Sequence, residues 1–199
     1  MFGELYQPLS EEQKQFLDDI RAQDPKQLGA TAHSLIAPVP PLHFFVKVPD
    51  QEIRRNKATI HLPKQYLPRG VYHAYQAMMR AMQKDIGKML YVDSGYRSPA
   101  YQLYLFVYYL RKHNYSVRET NRFVALPGYS EHGAPQQQAI DFMNEEGING
   151  EDHPEEFEAL PEYEWLTRRA KEFGFVLSYP RDNAWGTSFE PWHWHYEGK

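Results

Sequence analysis

The sequence predicts a domain of mixed helices and strands, preceded by an N-terminal arm. At 199 residues the chain is long enough to bury a hydrophobic core, as one large domain or as a domain with an appendage. Three segments repeat apolar residues at helical spacing, and they lie at residues 70–88, 98–112 and 162–173. Short segments of strand character accompany them, at residues 90–92, 139–142, 175–179 and 192–196.

Composition excludes several classes of protein. The net charge of −4 is small and scattered, which argues against a nucleic-acid partner or an anionic membrane surface. The absence of cysteine excludes disulfides, thiolate metal sites and cysteine nucleophiles. No apolar run approaches the roughly 20 residues of a membrane span, and the first residues lack the pattern of a signal peptide.

Residues 1–41 are predicted to form an N-terminal helical arm and a proline-rich connector, and residues 42–199 the main domain. Ser10 is suited to cap a helix whose first turn is acidic, and an apolar stripe begins at Phe16. Residues 37–41 contain three prolines and predict a stiff, extended connector. The arm shows no residues that suggest chemistry of its own.

Helix predictions in the main domain rest on periodicity and on capping residues. The apolar stripe of residues 70–88 includes three methionines, and we interpret it as core packing. Ser98, followed by proline, predicts the start of the next helix. Four apolar residues are expected on its inner face, namely Leu103, Phe106, Val107 and Leu110. Gly174 is suited to end the helix of residues 162–173, whereas residues 144–160 are acidic and predict a solvent-facing loop.

The last ten residues concentrate the candidate chemistry. In a strand, His193 and His195 share one face and two tryptophans share the other. Glu190 has the wrong parity for the histidine face, but a turn at the following proline leaves it free to lean towards the same site. This pattern predicts one wall of a metal site backed by the core, and the alternative is an amphipathic edge strand with a chance pair of histidines.

Residues from separate segments can complete a metal site. Zinc in hydrolases takes three nitrogen or oxygen ligands and keeps a fourth position open. His132, Asp141 and His193 supply two imidazoles and one carboxylate, and Glu190 remains as a general base. Arg97 precedes a helix start and is placed to bind a substrate carboxylate or to stabilise an oxyanion. Each residue alone is more often structural, but packing explains their combination less easily.

These residues lie in a series of short motifs. In chain order they are Ser-Gly-Tyr-Arg-Ser at 94–98, Pro-Gly-Tyr-Ser-Glu-His at 127–132, Ala-Ile-Asp at 139–141, Phe-Gly-Phe at 173–175, Ser-Tyr-Pro at 178–180 and Glu-Pro-Trp-His-Trp at 190–194. From about residue 58 to residue 196 the chain resembles the zinc D-alanyl-D-alanine carboxypeptidases of the VanY type, which trim bacterial cell-wall peptides. Several separate motifs in the expected order make the resemblance specific.

The resemblance implies a fold and a site. The fold is α+β, with a small, largely antiparallel sheet, helices packed around it and a zinc cleft on the sheet. One zinc ion is held by His132, Asp141 and His193, with Glu190 as the catalytic base. Arg97 is then the electrostatic residue beside the scissile carbonyl.

The resemblance also implies the substrate and its contacts. Gln102 and Ser130 contact the substrate, and we place Trp192 in the same substrate-binding group. The expected activity is the removal of a terminal D-alanine from peptidoglycan stem peptides, by metal-activated water with a glutamate base. We expect a monomer that acts in the periplasm or cell envelope, with the leader absent from this chain, and the cytoplasm is the alternative.

Two features depart from the family pattern. The run from His132 to Asp141 is two residues longer than usual and lacks the glycine that normally precedes Ala139; a longer loop there can be tolerated, and it could still alter a wall of the cleft. His195 stands where many relatives carry arginine. We expect its imidazole to face solvent, and the alternative is a supporting hydrogen bond beside the ligands.

Other activities remain open from the sequence. An L,D-carboxypeptidase or a peptidoglycan endopeptidase would use the same metal chemistry, because the walls of the cleft set the specificity. A non-catalytic cell-wall binding module would not need a base, yet Glu190 is present beside all three ligands. A purely structural zinc site would need a fourth protein ligand, and the only nearby candidate is His195, which points nearly parallel to its strand neighbour His193.

Overall fold

The computed structural model describes residues 7–24, 27, 40–55, 57–151, 153–184 and 187–198. The helices in these ranges are α1 (Glu11–Arg21), α2 (Arg69–Ile86), α3 (Pro99–Lys112), α4 (Val117–Asn121), α5 (Pro154–Glu158) and α6 (Pro161–Arg169). The strands are β1 (Phe45–Lys47), β2 (Glu52–Arg55), β3 (Ala58–His61), β4 (Tyr66–Pro68), β5 (Tyr91–Ser94), β6 (Ala139–Met143), β7 (Phe175–Leu177) and β8 (His193–Tyr196). Short 3₁₀ turns occur at Leu42–Phe44, Glu131–Gly133 and Ala170–Phe173.

A four-stranded antiparallel sheet with the order β5-β6-β8-β7 lies at the centre of the main domain. Two further antiparallel pairs, β1 with β4 and β2 with β3, form separate small sheets. The prediction of an α+β fold with a small, largely antiparallel sheet and surrounding helices is therefore confirmed.

The core lies between one face of the central sheet and helices α2 and α6. The predicted stripe on α2 is buried, and Met78 and Met82 have no exposed surface at all. Ile140 and Phe142 of β6 contribute to the same core, as does Trp194 of β8. Successive residues of a strand alternate between the two faces of a sheet. With Ile140, Phe142 and Trp194 on the core face, Asp141 and His193 lie on the opposite face.

The helix ends follow the predicted signals. The Ser98 hydroxyl accepts a hydrogen bond from the backbone N–H of Tyr101 at 3.2 Å, which caps α3 at its first turn. After α6 and its 3₁₀ extension, Gly174 adopts a φ of +84°, and a Cβ there would lie 2.7 Å from the carbonyl oxygen of Gly198. Glycine is therefore required at this turn both by its backbone conformation and by the closeness of the neighbouring chain.

The inner face of α3 differs from the prediction. Phe106 and Leu110 are buried as expected, but Leu103 and Val107 are 51% and 52% exposed. Gln102 takes the inner position one turn before Phe106, and it is 2% exposed. The helix has apolar residues on more than one face, so their spacing did not identify the buried one.

Two other predictions are affected by the structure. The acidic segment 144–160 is not a loop throughout, because it contains α5 and the completely buried Phe157. The proline-rich connector lies mostly outside the described residues, so the division at residue 41 stays a prediction. Helix α1 does begin at its expected cap, where the Ser10 hydroxyl accepts a hydrogen bond from the Gln13 backbone N–H at 3.2 Å. No helix in the described part of the chain has the length and apolarity that a membrane span needs.

Candidate metal centre and active-site cleft

Strand register brings two predicted ligands together on the open face of the central sheet. Asp141 in β6 lies directly opposite His193 in β8, and on its other side it lies opposite Ser94 in β5. Directly opposed residues of antiparallel strands project to the same face. The Asp141 carboxylate is therefore flanked by an imidazole on one side and a hydroxyl on the other.

His132 reaches the same face from the 3₁₀ turn at Glu131–Gly133. The Ser130 hydroxyl accepts a hydrogen bond from the His132 backbone N–H at 3.3 Å and caps this turn. The imidazole Nδ1 donates to the carbonyl oxygen of Gly95 at 2.8 Å, so Nε2 faces Asp141, whose Oδ2 lies 3.0 Å away. Gly95 permits this close approach of chains, since a Cβ on it would lie 2.6 Å from the Tyr66 carbonyl oxygen.

The second imidazole is held in a matching way. His193 Nδ1 lies 2.8 Å from Asp141 Oδ1, while its Nε2 donates to Glu131 Oε2 at 2.9 Å. One ligand atom from each of His132, Asp141 and His193 lies within 4.8 Å of the other two. Each imidazole thus uses its outer nitrogen for a hydrogen bond and directs its inner nitrogen towards a common point.

This arrangement fits a metal ion. His132 Nε2 is completely buried, and because Nδ1 donates to Gly95, the Nε2 lone pair faces the Asp141 carboxylate oxygen at 3.0 Å with no donor between them among the described residues, which is costly unless another group takes the lone pair. Two nitrogen atoms and a carboxylate are the donor set of catalytic zinc, and outer hydrogen bonds of this kind orient such imidazoles.

The electrostatics of the three predicted ligands also favour a cation between them. Burial lowers the pKa of His132 to about 4, so its imidazole is neutral and able to act as a ligand. Burial acts to lower the pKa of His193, but the Asp141 and Glu131 carboxylates outweigh it and raise that pKa to about 10. Burial acts to raise the pKa of Asp141, but the neighbouring imidazoles and Arg97 hold it well below its usual range. The carboxylates therefore stabilise a positive charge at this place, and a metal cation would supply one.

Glu190 lies beside the ligands without joining them. Its Oε2 is 3.7 Å from His193 Nδ1, and its side chain is 14% exposed. Burial raises the pKa of this carboxyl to about 8. The backbone is fixed on both sides, since Glu190 N donates to the Tyr179 carbonyl and His193 N donates to the Glu190 carbonyl, each at 3.1 Å. A buried carboxylate with a raised pKa, held at the edge of a ligand set, is suited to general-base chemistry.

Arg97 is anchored by two contacts. Its Nη2 donates to Asp141 Oδ2 at 2.6 Å, and its Nε donates to the Ser94 hydroxyl at 2.7 Å. These two bonds fix the plane of the guanidinium and leave its other N–H groups for a substrate. Arg97 therefore also supports a predicted metal ligand, which its position in the sequence did not indicate.

A cleft of about 360 Å³ is lined by all eight predicted site residues, namely Arg97, Gln102, Ser130, His132, Asp141, Glu190, Trp192 and His193. Gln102 donates through Nε2 to the Ala125 carbonyl at 2.8 Å, and its buried Oε1 has no partner in the described ranges. The Ser130 hydroxyl is already engaged in capping. The structure thus places these residues together, while the role of each stays a prediction.

One part of the cleft lining is acidic. Asp93 and Glu151 both line the cleft, and Asn149 donates to Asp93 Oδ2 at 3.1 Å. Burial raises the pKa of Asp93 to about 6. Glu151 accepts a hydrogen bond from the Tyr109 hydroxyl.

Sequence reasoning missed the residues behind His193. Glu131 was not assigned a role, although it accepts a hydrogen bond from a predicted ligand and another from the Ser178 hydroxyl at 2.6 Å. The expectation that His195 faces solvent is wrong, since its side chain is 14% exposed and its Nδ1 lies 2.8 Å from the Ser178 hydroxyl. The period-two pattern did place His195 on the face of His193, but it gave no sign of the partners that β7 and the 3₁₀ turn bring there.

Asp141 and His193 on the antiparallel sheet, His132 on the adjacent 3₁₀ turn and the buried Glu190 meet in one cleft, an arrangement that resembles the metal centres of hydrolytic enzymes. Residues 64–199 match the family model described as D-alanyl-D-alanine carboxypeptidase, VanY. The chain belongs to this family, and it is a peptidase of the carboxypeptidase type.

Curated relatives agree with the family assignment. The bifunctional D-Ala-D-Ala dipeptidase and D-Ala-D-Ala carboxypeptidase VanXYC of Enterococcus gallinarum is 30% identical in an alignment of 141 residues that covers 67% of this chain and 68% of the relative. The putative carboxypeptidase YodJ of Bacillus subtilis is 30% identical in an alignment of 143 residues that covers 69% of this chain and 49% of the relative. The match therefore spans about half of YodJ.

Solved structures share the fold. The LD-carboxypeptidase LdcB superposes with a TM-score of 0.62 at 23% identity, over 88% of this chain and 79% of that one. A VanY D,D-pentapeptidase in complex with Zn(II) gives a TM-score of 0.54 at 23% identity, and the match covers 83% of this chain and 88% of that one. The D,D-dipeptidase VanXYg, in complex with a D-Ala-D-Ala phosphinate analogue, gives a TM-score of 0.56 at 30% identity, and the match covers 67% of this chain and 51% of that one.

Proposed function

We propose that this protein is a zinc-dependent carboxypeptidase that removes the terminal D-alanine from bacterial peptidoglycan stem peptides. The observation that carries the proposal is the convergence of three ligand atoms within 4.8 Å beside a buried carboxylate. Zinc is the proposed metal because two imidazoles and one carboxylate form a common catalytic zinc set. The Zn(II) complex of a VanY relative supports the same choice.

His132 Nε2, His193 Nδ1 and one oxygen of Asp141 would hold the ion. Zinc bound there would act as a Lewis acid on the scissile carbonyl and lower the pKa of its water to about 7. The reaction is the hydrolysis of a peptide bond, and residues of this chain would supply the proton transfer and the substrate contacts.

Glu190 is the proposed base. It takes a proton from the attacking water as the new C–O bond forms, and it gives that proton to the leaving nitrogen as the C–N bond breaks. Its place beside the ligand set, 3.7 Å from His193 Nδ1, supports this role. Its burial removes competing solvent and raises its pKa to about 8, so the carboxylate has appreciable basicity.

Substrate binding is assigned to the residues that line the cleft. The free N–H groups of Arg97 face a substrate carboxylate or the developing oxyanion, and the guanidinium is preorganised by Ser94 and Asp141. The buried Oε1 of Gln102 is an acceptor for a substrate N–H. Ser130 and Trp192 complete the proposed contacts on the cleft wall.

The test uses defined muropeptides, incubated with the zinc-loaded protein and analysed by mass spectrometry, with a chelated sample as control. We expect a pentapeptide that ends in D-Ala-D-Ala to lose one alanine, and a tetrapeptide to stay intact. Shortening of the tetrapeptide would instead indicate an L,D-carboxypeptidase, and release of monomers from a cross-linked dimer an endopeptidase. Binding of zinc and peptide without any cleavage would refute the enzymatic proposal and indicate a binding module.

A further inference from the structure

A chain of hydrogen bonds continues outward from His193, away from the cleft. It consists of Glu131, Ser178 and His195, which we name the outer network. His193 Nε2 is 2.9 Å from Glu131 Oε2, the same oxygen is 2.6 Å from the Ser178 hydroxyl, and that hydroxyl is 2.8 Å from His195 Nδ1. These contacts connect the 3₁₀ turn that carries His132, the end of β7 and two residues of β8.

The chemistry of these side chains determines which atom donates and which accepts in each hydrogen bond of the outer network. A carboxylate only accepts, so Ser178 must donate its single hydroxyl proton to Glu131. The hydroxyl then accepts from His195 Nδ1–H, while His193 donates to Glu131 from Nε2. The proton on Nε2 leaves the Nδ1 lone pair of a neutral His193 ring pointing towards Asp141 Oδ1, which lies 2.8 Å away.

We propose that Glu131 is a positioning residue that fixes the ring orientation and the tautomer of His193, so that Nδ1 is presented to the metal. The proposal rests on the zinc site of the proposed function. Glu131 would orient His193 as the Gly95 carbonyl orients His132, whose outer nitrogen Nδ1 donates to that carbonyl at 2.8 Å. The two ligands differ in that a backbone carbonyl orients one and a carboxylate the other.

The setting of Glu131 supports a role beyond a surface contact. Its side chain is 18% exposed, and the ring that it holds is 8% exposed. A carboxylate with so little access to water is costly to bury unless charged or donating partners surround it, and here Glu131 accepts from His193 Nε2 and from the Ser178 hydroxyl. Glu131 also precedes His132 directly, so a single residue ties the segment of one ligand to the strand of another.

The experiment compares zinc affinity, by competition with a chromophoric chelator, for the parent protein, Glu131→Ala and Glu131→Gln. Loss of such an outer partner typically weakens metal binding 10- to 100-fold, and we expect this for Glu131→Ala. Glu131→Gln keeps an acceptor oxygen for His193 Nε2–H, so we expect it to recover part of the affinity. Glu164→Gln, at an exposed carboxylate whose nearest cation is Arg168 at 3.5 Å, is the matched control and should bind zinc like the parent.

A second measurement needs no variant. Nitrogen-15 NMR of the zinc-loaded parent reports which ring nitrogen of His193 carries the proton, and we expect Nε2. A proton on Nδ1, or a Glu131→Ala variant that binds zinc as tightly as the parent, would overturn the positioning role and leave the proposed function standing. A parent protein that binds no zinc at all would overturn the proposed function itself, and the role of Glu131 with it. If Glu131→Ala does not fold, the NMR result and the Glu131→Gln variant still decide.

Discussion

Replacing Glu190 by glutamine tests the catalytic proposal most directly. Glutamine has the same shape and keeps a carbonyl oxygen near its present place, 3.7 Å from His193 Nδ1, but it cannot accept the proton. The two backbone hydrogen bonds at residue 190, each 3.1 Å long, do not involve the side chain, so the turn before β8 should persist. The substitution therefore removes a base while leaving the geometry of the site in place.

The expected magnitude follows from the role. Positioned general bases contribute about 10²- to 10⁴-fold in rate, which corresponds to about 3–5 kcal/mol in the activation free energy. Zinc affinity should change little, because Glu190 is not among the three residues whose ligand atoms converge. Above pH 8 the free energy of unfolding of Glu190→Gln should not be lower than that of the parent. The reason is that the Glu190 carboxyl has a pKa raised to about 8, and burial disfavours its charged form in the parent.

The assay measures alanine release from a stem pentapeptide by mass spectrometry, together with zinc content and chelator competition. Glu151→Gln is a useful comparison, because it removes a carboxylate that lines the same cleft but is engaged by the Tyr109 hydroxyl. Loss of zinc in Glu190→Gln would show that Glu190 is a ligand and that the role of Asp141 needs revision. Undiminished turnover with zinc retained would refute the assignment of the base.

Two further predictions concern charged residues of the cleft. Arg97→Ala should lower the rate by about a hundredfold or more, and it should also weaken zinc binding, because Asp141 loses its 2.6 Å partner. A variant with parent-like turnover would refute the electrostatic role of Arg97 in the reaction. For Asp93, whose pKa is raised to about 6 from 3.8, the folded state binds the proton more tightly than the unfolded state, so stability is lost as pH rises through that range. In urea titrations of the metal-free protein, Asp93→Asn should therefore raise the free energy of unfolding by about 2–3 kcal/mol at pH 8. At pH 3 the substitution should leave the free energy of unfolding unchanged. An equal effect at both pH values would show that the gain does not come from ionisation.

Local signals in the sequence predicted the ends of elements well. The Ser98-Pro99 start and the Gly174 end depend on a few neighbouring residues, and both appear as expected. Burial of whole faces was harder to predict. On α3 the exposed Leu103 and Val107 are as apolar as the buried Phe106, and only the arrangement of the surrounding chain decides which side is covered.

The candidate site was predictable in its members but not in its connections. Strand parity placed His193 and His195 on one face, as the structure does. The sequence contains no local signal for the pairing of β6 with β8, which joins residues 52 positions apart and sets Asp141 opposite His193. For the same reason the contact between Glu131 and His193, 62 positions apart, was not foreseen.

The connection between His132 and Asp141, two predicted ligands, joins the 3₁₀ turn to strand β6. Within this connection the Gln137 N–H donates to the Ala134 carbonyl at 2.9 Å, before Gln138 enters the sheet region. Gln138 is completely buried, and its carbonyl accepts a hydrogen bond from the Tyr196 N–H at 3.1 Å. The chain is thus back in register with β8 before it reaches Asp141.

The two ends of this connection are held independently of its length. His132 is fixed through its own side chain to Gly95, and its carbonyl accepts from the Arg97 N–H at 3.0 Å. Asp141 is fixed by its position in β6. Among the described residues that line the cleft, none comes from 133–138, and an effect of the longer connection on the shape of the cleft stays a prediction. Because loop closure costs only slightly more for a longer loop, a longer connection can leave the positions of His132 and Asp141 unchanged.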